Sequence, residues 1–474
     1  MKILFVTSEA NPYAASGGLA DVLGALPLTV AENNKDSEVG VIMPLYGTMK
    51  PEFRAMLEKV GDISFKLSWR DTGATIYKIR NGSVDYFFVE NHYYFDRNKF
   101  YGEFDDAERF AFFSLAVVEF MLQCNYIPDI IHANDWQTAL TVVYLKTKFA
   151  LVEALKHIRC VYTIHNIEFQ GKFDKNIIGD VFGLDCFSNV LEYDGCANLM
   201  KGAISVTDFI TTVSPNYAYE LHHDFFAFGL ADVIAKARAK MKGVINGIDY
   251  KYFSPETGGD IYSAFGTEDL FEGKKANKLA FQREVGLPEN ENIPLVVMIT
   301  RLASQKGIDL VARVIDELLE ENLQFVILGT GEAEYEEFFK ALEQKHNNCK
   351  ALIKFDRVIS KKMYASADIF LMPSKSEPCG LAQMIACSYG TVPVVRAVGG
   401  LFDSIKPYGT DGENGFTFDN YNAHELLFTV KKALDLYSDK AKWNDLVMKA
   451  KRSDFSWNIS AEKYFKIYKK LLEW

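Results

Sequence analysis

Two adjacent glycines, Gly17 and Gly18, follow the first apolar run of the chain within "YAASGGLADVLGALP". Glycines where a strand hands over to a helix let backbone N–H groups approach a ligand, and the helix N-terminus adds partial positive charge. The same residues would also make a plain tight turn, and the G-x-G-x-x-G spacing of a dinucleotide site is missing. A second glycine turn, "GTGE" from Gly329, follows the strand-like "LQFVILG" and again lacks the third glycine. Cations stand elsewhere. "TRLASQKG" puts Arg301 and Lys306 just after a buried apolar run, with Gly307 opening the next helix. Arginine offers a planar fork of donors and lysine a mobile point charge, a pair suited to a pyrophosphate, although an ordinary solvated loop carries such charges too. In "SKSEPCGLAQ" the carboxylate of Glu377 precedes Pro378, Cys379 and Gly380. It can hold sugar hydroxyls or stabilise developing positive charge, or simply meet the free N–H groups of the following helix. Cys379, with no histidine close in sequence, reads as a small filler.

Polar residues end two further apolar runs: His132, Asn134 and Asp135 in "HANDWQ", and His165 and Asn166 in "TIHNIEFQG". One such histidine is usually just hydrogen-bonded, whereas several polar strand ends on one edge describe a site. Asn246 in "GVINGID" either contacts ligand or makes a turn. No Asp-x-Asp, His-x-x-x-His or Cys-x-x-Cys spacing occurs, so neither a bound metal nor a cofactor is expected. The seven cysteines are odd in number and scattered, as in a reducing cytosol. A net charge of −11 disfavours nucleic acid, so any anionic ligand needs a local cluster of cations. The N-terminal "ILFV" is too short for a signal peptide or membrane span, and a soluble cytoplasmic protein is expected.

The elements that must position these groups follow from the apolar pattern. At 474 residues the chain exceeds one core. "KILFVT", "SEVGVIM", "PDIIHAND", "RCVYTIHN" and "FITTVS" are strand-like runs separated by helical stretches such as "DAERFAFFSLAVVEFML". This alternation predicts a parallel, doubly wound α/β sheet. The series restarts near residue 242 with "PLVVMITR", "LQFVILG", "ALIKF", "ADIFLMP" and "TVPVVR". Two such domains, 1–241 and 242–455, are expected, joined near 241–246, with a helix over 456–474 packing back on the first. Ligands bind at the carboxyl ends of such strands, which would place a site in the cleft between the domains.

In order and spacing, "SEANPYAASGGLADVLGALP", "HANDWQ", "TIHNIEFQG", "VINGIDYKYFSP", "ITRLASQKGIDL", "MPSKSEPCGLAQM" and "GGLFDSI" resemble the bacterial glycogen and starch synthases over essentially the whole chain. That resemblance implies a GT-B architecture, two Rossmann-like domains facing each other across a deep cleft. It further implies a retaining hexosyltransferase that moves glucose from ADP-glucose to the non-reducing end of an α-1,4-glucan. By position, Arg301 and Lys306 match the family's pair on the donor diphosphate, and Glu377 its essential carboxylate. His165 matches the residue near the anomeric carbon. The donor side would include Ala15, Ser16, Gly17, Gly18, Asp21, Asn246, Gly329, Cys379, Gly380 and Leu381, with Phe355 packing on the base. Glu9, Asn134, Asp135 and Asn166 fall on the acceptor side. The chain departs from the family pattern at three places. Ala15 replaces a lysine, Gln137 a histidine, and Val398 the threonine before Gly399-Gly400-Leu401. These departures leave open another donor such as UDP-glucose, another acceptor, or a glucan-binding relative without turnover.

Overall fold

A computed structural model describes residues 1–473. The chain divides into two compact units: Met1–Gly247 together with the segment from Trp457 onward, and Ile248–Ser456.

The first unit is built on β1 (Lys2–Val6), β2 (Glu38–Pro44), β3 (Glu58–Leu67), β4 (Arg70–Asn81), β5 (Val84–Glu90), β6 (Ile130–Asn134) and β7 (Arg159–Ile164). The short strands β8 (Lys172–Asp174), β9 (Glu192–Tyr193) and β10 (Cys196–Asn198) form a separate small sheet, and β11 (Phe209–Thr212) and β12 (Met241–Gly243) complete the main one. Its order is β12-β11-β7-β6-β1-β2-β5-β4-β3. The inner strands are parallel and buried on both faces, which is why β1, from Ile3 to Val6, reads as an apolar run. β3 and β4 are different. They form an antiparallel extension with alternating burial, so neither reads as a continuous apolar run. The segment at 241–243, expected as the joint, is instead the strand β12 beside β11, so the first unit extends to Gly247. The helix Trp457–Leu472 packs on the helix Gly18–Asn33 and so belongs to this unit.

The second unit carries β13 (Leu295–Ile299), β14 (Gln324–Leu328), β15 (Cys349–Leu352), β16 (Ile369–Met372), β17 (Val392–Arg396) and β18 (Phe416–Phe418), all parallel, in the order β15-β14-β13-β16-β17-β18.

Both orders contain one reversal. In the second unit the chain runs outward through β14 and β15, then returns to the other side of β13 with β16. In the first unit the same return happens between β1 and β6. Loops diverge where the order reverses, opening a crevice at the carboxyl ends of those two strands. Among the described residues no helix is long and apolar enough to cross a membrane.

Candidate active site

The reversal in the second unit brings together two segments far apart in sequence. Lys306 lies in the turn after β13 and Glu377 in the loop after β16, and their Nζ and Oε2 atoms are 2.6 Å apart. Glu377 is buried and also accepts from Ser374 Oγ at 3.1 Å. The two loops are fastened to each other. Lys375 N–H donates to Gln305 O at 2.9 Å, and Arg396 Nη1 donates to Lys375 O at 2.8 Å. Gly307 has φ +75°, and an added Cβ would lie 2.1 Å from Pro373 O, so this turn demands glycine. The backbone at Glu377 is held by the helix Gly399–Ser404, with Gly400 N–H donating to the main-chain carbonyl of Glu377 at 3.1 Å. The helix after Glu377 starts only at Ala382, so the carboxylate serves Lys306 and not the helix end.

Arg301 is exposed, and its guanidinium has no partner among the described residues. Phe355, 80% exposed, presents a bare ring after β15. Cys379 is buried, while Gly380 and Leu381 are half-buried in the turn leading to the helix Ala382–Ser388. Gly329 is explained differently from its expectation. A Cβ there would meet Thr300 O at 1.8 Å, so the close approach that this glycine permits is to the protein's own backbone.

In the first unit the loop after β1 carries Ala15 (half-buried) and Ser16, Gly17 and Gly18 (exposed). Glu9 faces this loop. Its buried carboxylate accepts the backbone N–H of Ser16, the Ser16 hydroxyl at 2.8 Å and the Tyr101 hydroxyl, so it positions the loop. Asp21 accepts from Asn11 Nδ2 at 2.5 Å. Gly17 has φ −166°, which any residue adopts, and an added Cβ would meet nothing within 4 Å. Nothing within the protein requires glycine at this position.

At the ends of β6 and β7, Asn134, Asp135, His165 and Asn166 come together. Asp135 sits at φ +57°, a costly conformation for a residue with a side chain. Its Oδ1 accepts the backbone N–H groups of His165 (2.7 Å) and Asn166 (3.5 Å) and holds that loop in place. Burial raises its carboxyl to about 7 despite these two donors, with the Glu9 charge adding to the effect. Burial holds the His165 ring in its neutral form. Asn166 closes a local turn by accepting from Glu168 N–H at 3.0 Å. Asn246 is buried, and its Oδ1 has no hydrogen-bond partner.

His132 does not join this edge. It is fully buried, with Nδ1 2.6 Å from the Tyr468 hydroxyl and Nε2 2.5 Å from Thr163 Oγ1. Burial, with a small contribution from His165, lowers its pKa to about 3. The unfolded chain therefore binds one more proton at this ring than the folded chain between pH 6.5 and 3, and stability is lost as pH falls through that window. His165 acts in the same direction. Asp135, whose carboxyl is raised, acts oppositely, because its contribution is present at low pH and lost as pH rises toward 7. The balance is a net uptake of about one proton on unfolding, or about 1.4 kcal/mol per pH unit. Thermal denaturation from pH 6.5 to 5 should show this decline, and His132→Asn should flatten it.

Ser374, Arg396 and Tyr101 were not anticipated. Ser374 could have been noticed from its closeness to Glu377; Arg396 and Tyr101 gave no signal because they act across strands.

Two units, each built on a doubly wound sheet, are the architecture of the GT-B glycosyltransferases, and the solved starch synthase below shares it. Residues 2–236 match the family described as starch synthase catalytic domain, and residues 281–450 match glycosyl transferases group 1. A glycogen synthase of Clostridium beijerinckii is 44% identical, covering 99% of both chains. One from Bacillus cereus is 42% identical over 100% of both. The solved catalytic domain of Arabidopsis thaliana starch synthase IV, bound to ADP and acarbose, superposes with a TM-score of 0.90 at 33% identity, covering 100% of this chain and 99% of its own. The chain belongs to the glycogen/starch synthase family.

Proposed function

We propose that this chain elongates an α-1,4-glucan, moving glucose from ADP-glucose to the non-reducing end with retention at the anomeric carbon. The observation carrying this reading is the Lys306–Glu377 pair, its carboxylate buried, at the β13/β16 switch point, with exposed Arg301 in the same turn after β13 as Lys306. Arg301 and Lys306 meet the negative charge that develops on the leaving diphosphate, preorganised before the reaction. Glu377 holds the glucose and steadies its positive character as the bond to the diphosphate breaks. In the first unit, the family resemblance gives His165, Asn246 and the Gly17 edge roles toward the donor sugar; Asn246 keeps an unpartnered Oδ1, and an added Cβ at Gly17 meets nothing within 4 Å. A diphosphate oxygen takes the proton of the incoming 4-hydroxyl on the same face, so ADP leaves as the new glycosidic bond forms. Asn134, Asp135 and Asn166 shape the acceptor side, and Phe355 offers its ring to the base. Free cysteines throughout the described chain fit a reducing, cytoplasmic setting.

Ala15 favours a second reading, in which UDP-glucose is used as well. No cation stands at this position of the glycine loop, and a hydrogen bond to a charged group is worth about 1.5–3 kcal/mol. The loss corresponds to roughly 10–100-fold in donor use. Purified protein incubated with glycogen and either nucleotide-glucose should release nucleotide, and Ala15→Lys should raise kcat/KM with at least one donor. Release from neither donor would overturn the synthase reading. A folded lysine variant that gains nothing would mean that other groups have taken over the missing cation's role.

A further inference from the structure

Asn134 ends β6 and is 1% exposed, and its surroundings determine how its amide is turned. Nδ2 donates to the carbonyl oxygens of Val6 (3.1 Å) and His132 (3.0 Å). Flipping the amide would set Oδ1 against those two acceptors, so Oδ1 must point the other way. There it lies 3.0 Å from His165 Nε2. An amide oxygen only accepts, so Nε2 must carry a proton. Burial keeps the ring neutral, which leaves Nδ1 with a bare lone pair. Nδ1 has no hydrogen-bond partner among the described residues, and His165 keeps part of its surface exposed.

We propose that Asn134 is a positioning residue that locks His165 as its neutral Nε2–H tautomer, so that the ring meets the donor by accepting a hydrogen bond from a sugar hydroxyl. The ring then contributes no positive charge to the diphosphate, which leaves that task to Arg301, Lys306 and backbone N–H groups. This rests on the reading that His165 faces the transferred sugar. The neighbouring titratable groups do not compete for the ring. Asp135 spends Oδ1 on the backbone N–H groups of His165 and Asn166, Glu9 is tied to Ser16 and Tyr101, and His132 is engaged by Tyr468 and Thr163.

The test begins with wild-type protein carrying ring-¹⁵N histidine, observed by long-range ¹H–¹⁵N correlation. The His165 signals are assigned by their loss in His165→Gln. A protonated Nε2 and bare Nδ1 from pH 8 to pH 5 is the expected result; a protonated Nδ1 anywhere in that range overturns the proposal. Asn134→Leu removes the acceptor at nearly constant shape. An unpartnered buried N–H is unfavourable, so the proton should move to Nδ1, and kcat/KM for the nucleotide-sugar should fall roughly 10–100-fold. A folded leucine variant that keeps the wild-type spectrum or the wild-type kcat/KM also overturns it. The wild-type spectrum needs no turnover. Wild-type protein that releases no nucleotide from any nucleotide-sugar removes the functional reading, whereas a wrong tautomer in an active enzyme removes only the role given to Asn134.

Discussion

Lys306→Ala should lower kcat for nucleotide release by roughly 10²–10³, the scale of losing one preorganised donor to a developing oxyanion. The variant should also lose stability, because Glu377 is 7% exposed and would lose the ammonium 2.6 Å away. Removing one partner of a buried pair costs up to about 3–5 kcal/mol, and Ser374 Oγ, still donating to the carboxylate, keeps the loss toward the lower end. A double-variant cycle separates these two effects. In Lys306→Ala with Glu377→Gln the buried charge disappears from both sides, so thermal stability should return most of the way. Turnover should not return, since the diphosphate still lacks its lysine and the sugar its carboxylate. If Lys306→Ala loses less than tenfold in kcat, the diphosphate is held elsewhere and the pair is structural only.

Gly400→Ala should cost about 10² in kcat/KM although no side chain proposed to meet substrate is removed. A Cβ at residue 400 would lie 2.1 Å from Cys379 O and 2.4 Å from Cys379 Cα. Both obstacles are backbone, so relief requires the loop from Glu377 to Cys379 to move by about 1 Å, a displacement able to cost 10²-fold when it misplaces a reacting group. The hydrogen bond from Gly400 N–H to the main-chain carbonyl of Glu377 couples that shift to the backbone that carries the carboxylate. Gly259→Ala is the matched control, with nothing within 4 Å of its added Cβ, and should leave both melting temperature and kcat/KM unchanged. A Gly400→Ala protein with wild-type kcat/KM would show that the placement of Glu377 tolerates such a shift.

Much of the site was legible along the chain because parallel strands buried on both faces announce themselves as apolar runs, and a polar residue closing such a run lies at the sheet's carboxyl edge. Arg301, Lys306, His165 and Asp135 stand there for that reason. The wider resemblance added Phe355 and Glu9. Residues whose work is to hold others in place gave little or no signal. Tyr101 meets Glu9 from 92 residues away, and Arg396 clamps a loop that belongs to a different strand.

The sequence by itself determined the long buried parallel strands and which chemical groups end them, since burial pattern is a local property, whereas the polar-out β3 and β4 and the short β12 did not stand out. Only the tertiary structure decided which strand ends are neighbours. Lys306 and Glu377 are 71 positions apart and touch because β16 returns to the side of β13, and Asn134 reaches His165 because β7 lies beside β6. His132 passes from candidate site residue to core residue through a hydroxyl 336 positions later in the chain. Gly329, read as room for a ligand, is room for Thr300. The physical reason is common to all four. Strand order and helix packing are set by which apolar faces can be buried together across the whole unit, and a hydrogen bond or a missing Cβ takes its meaning from the neighbour that packing supplies.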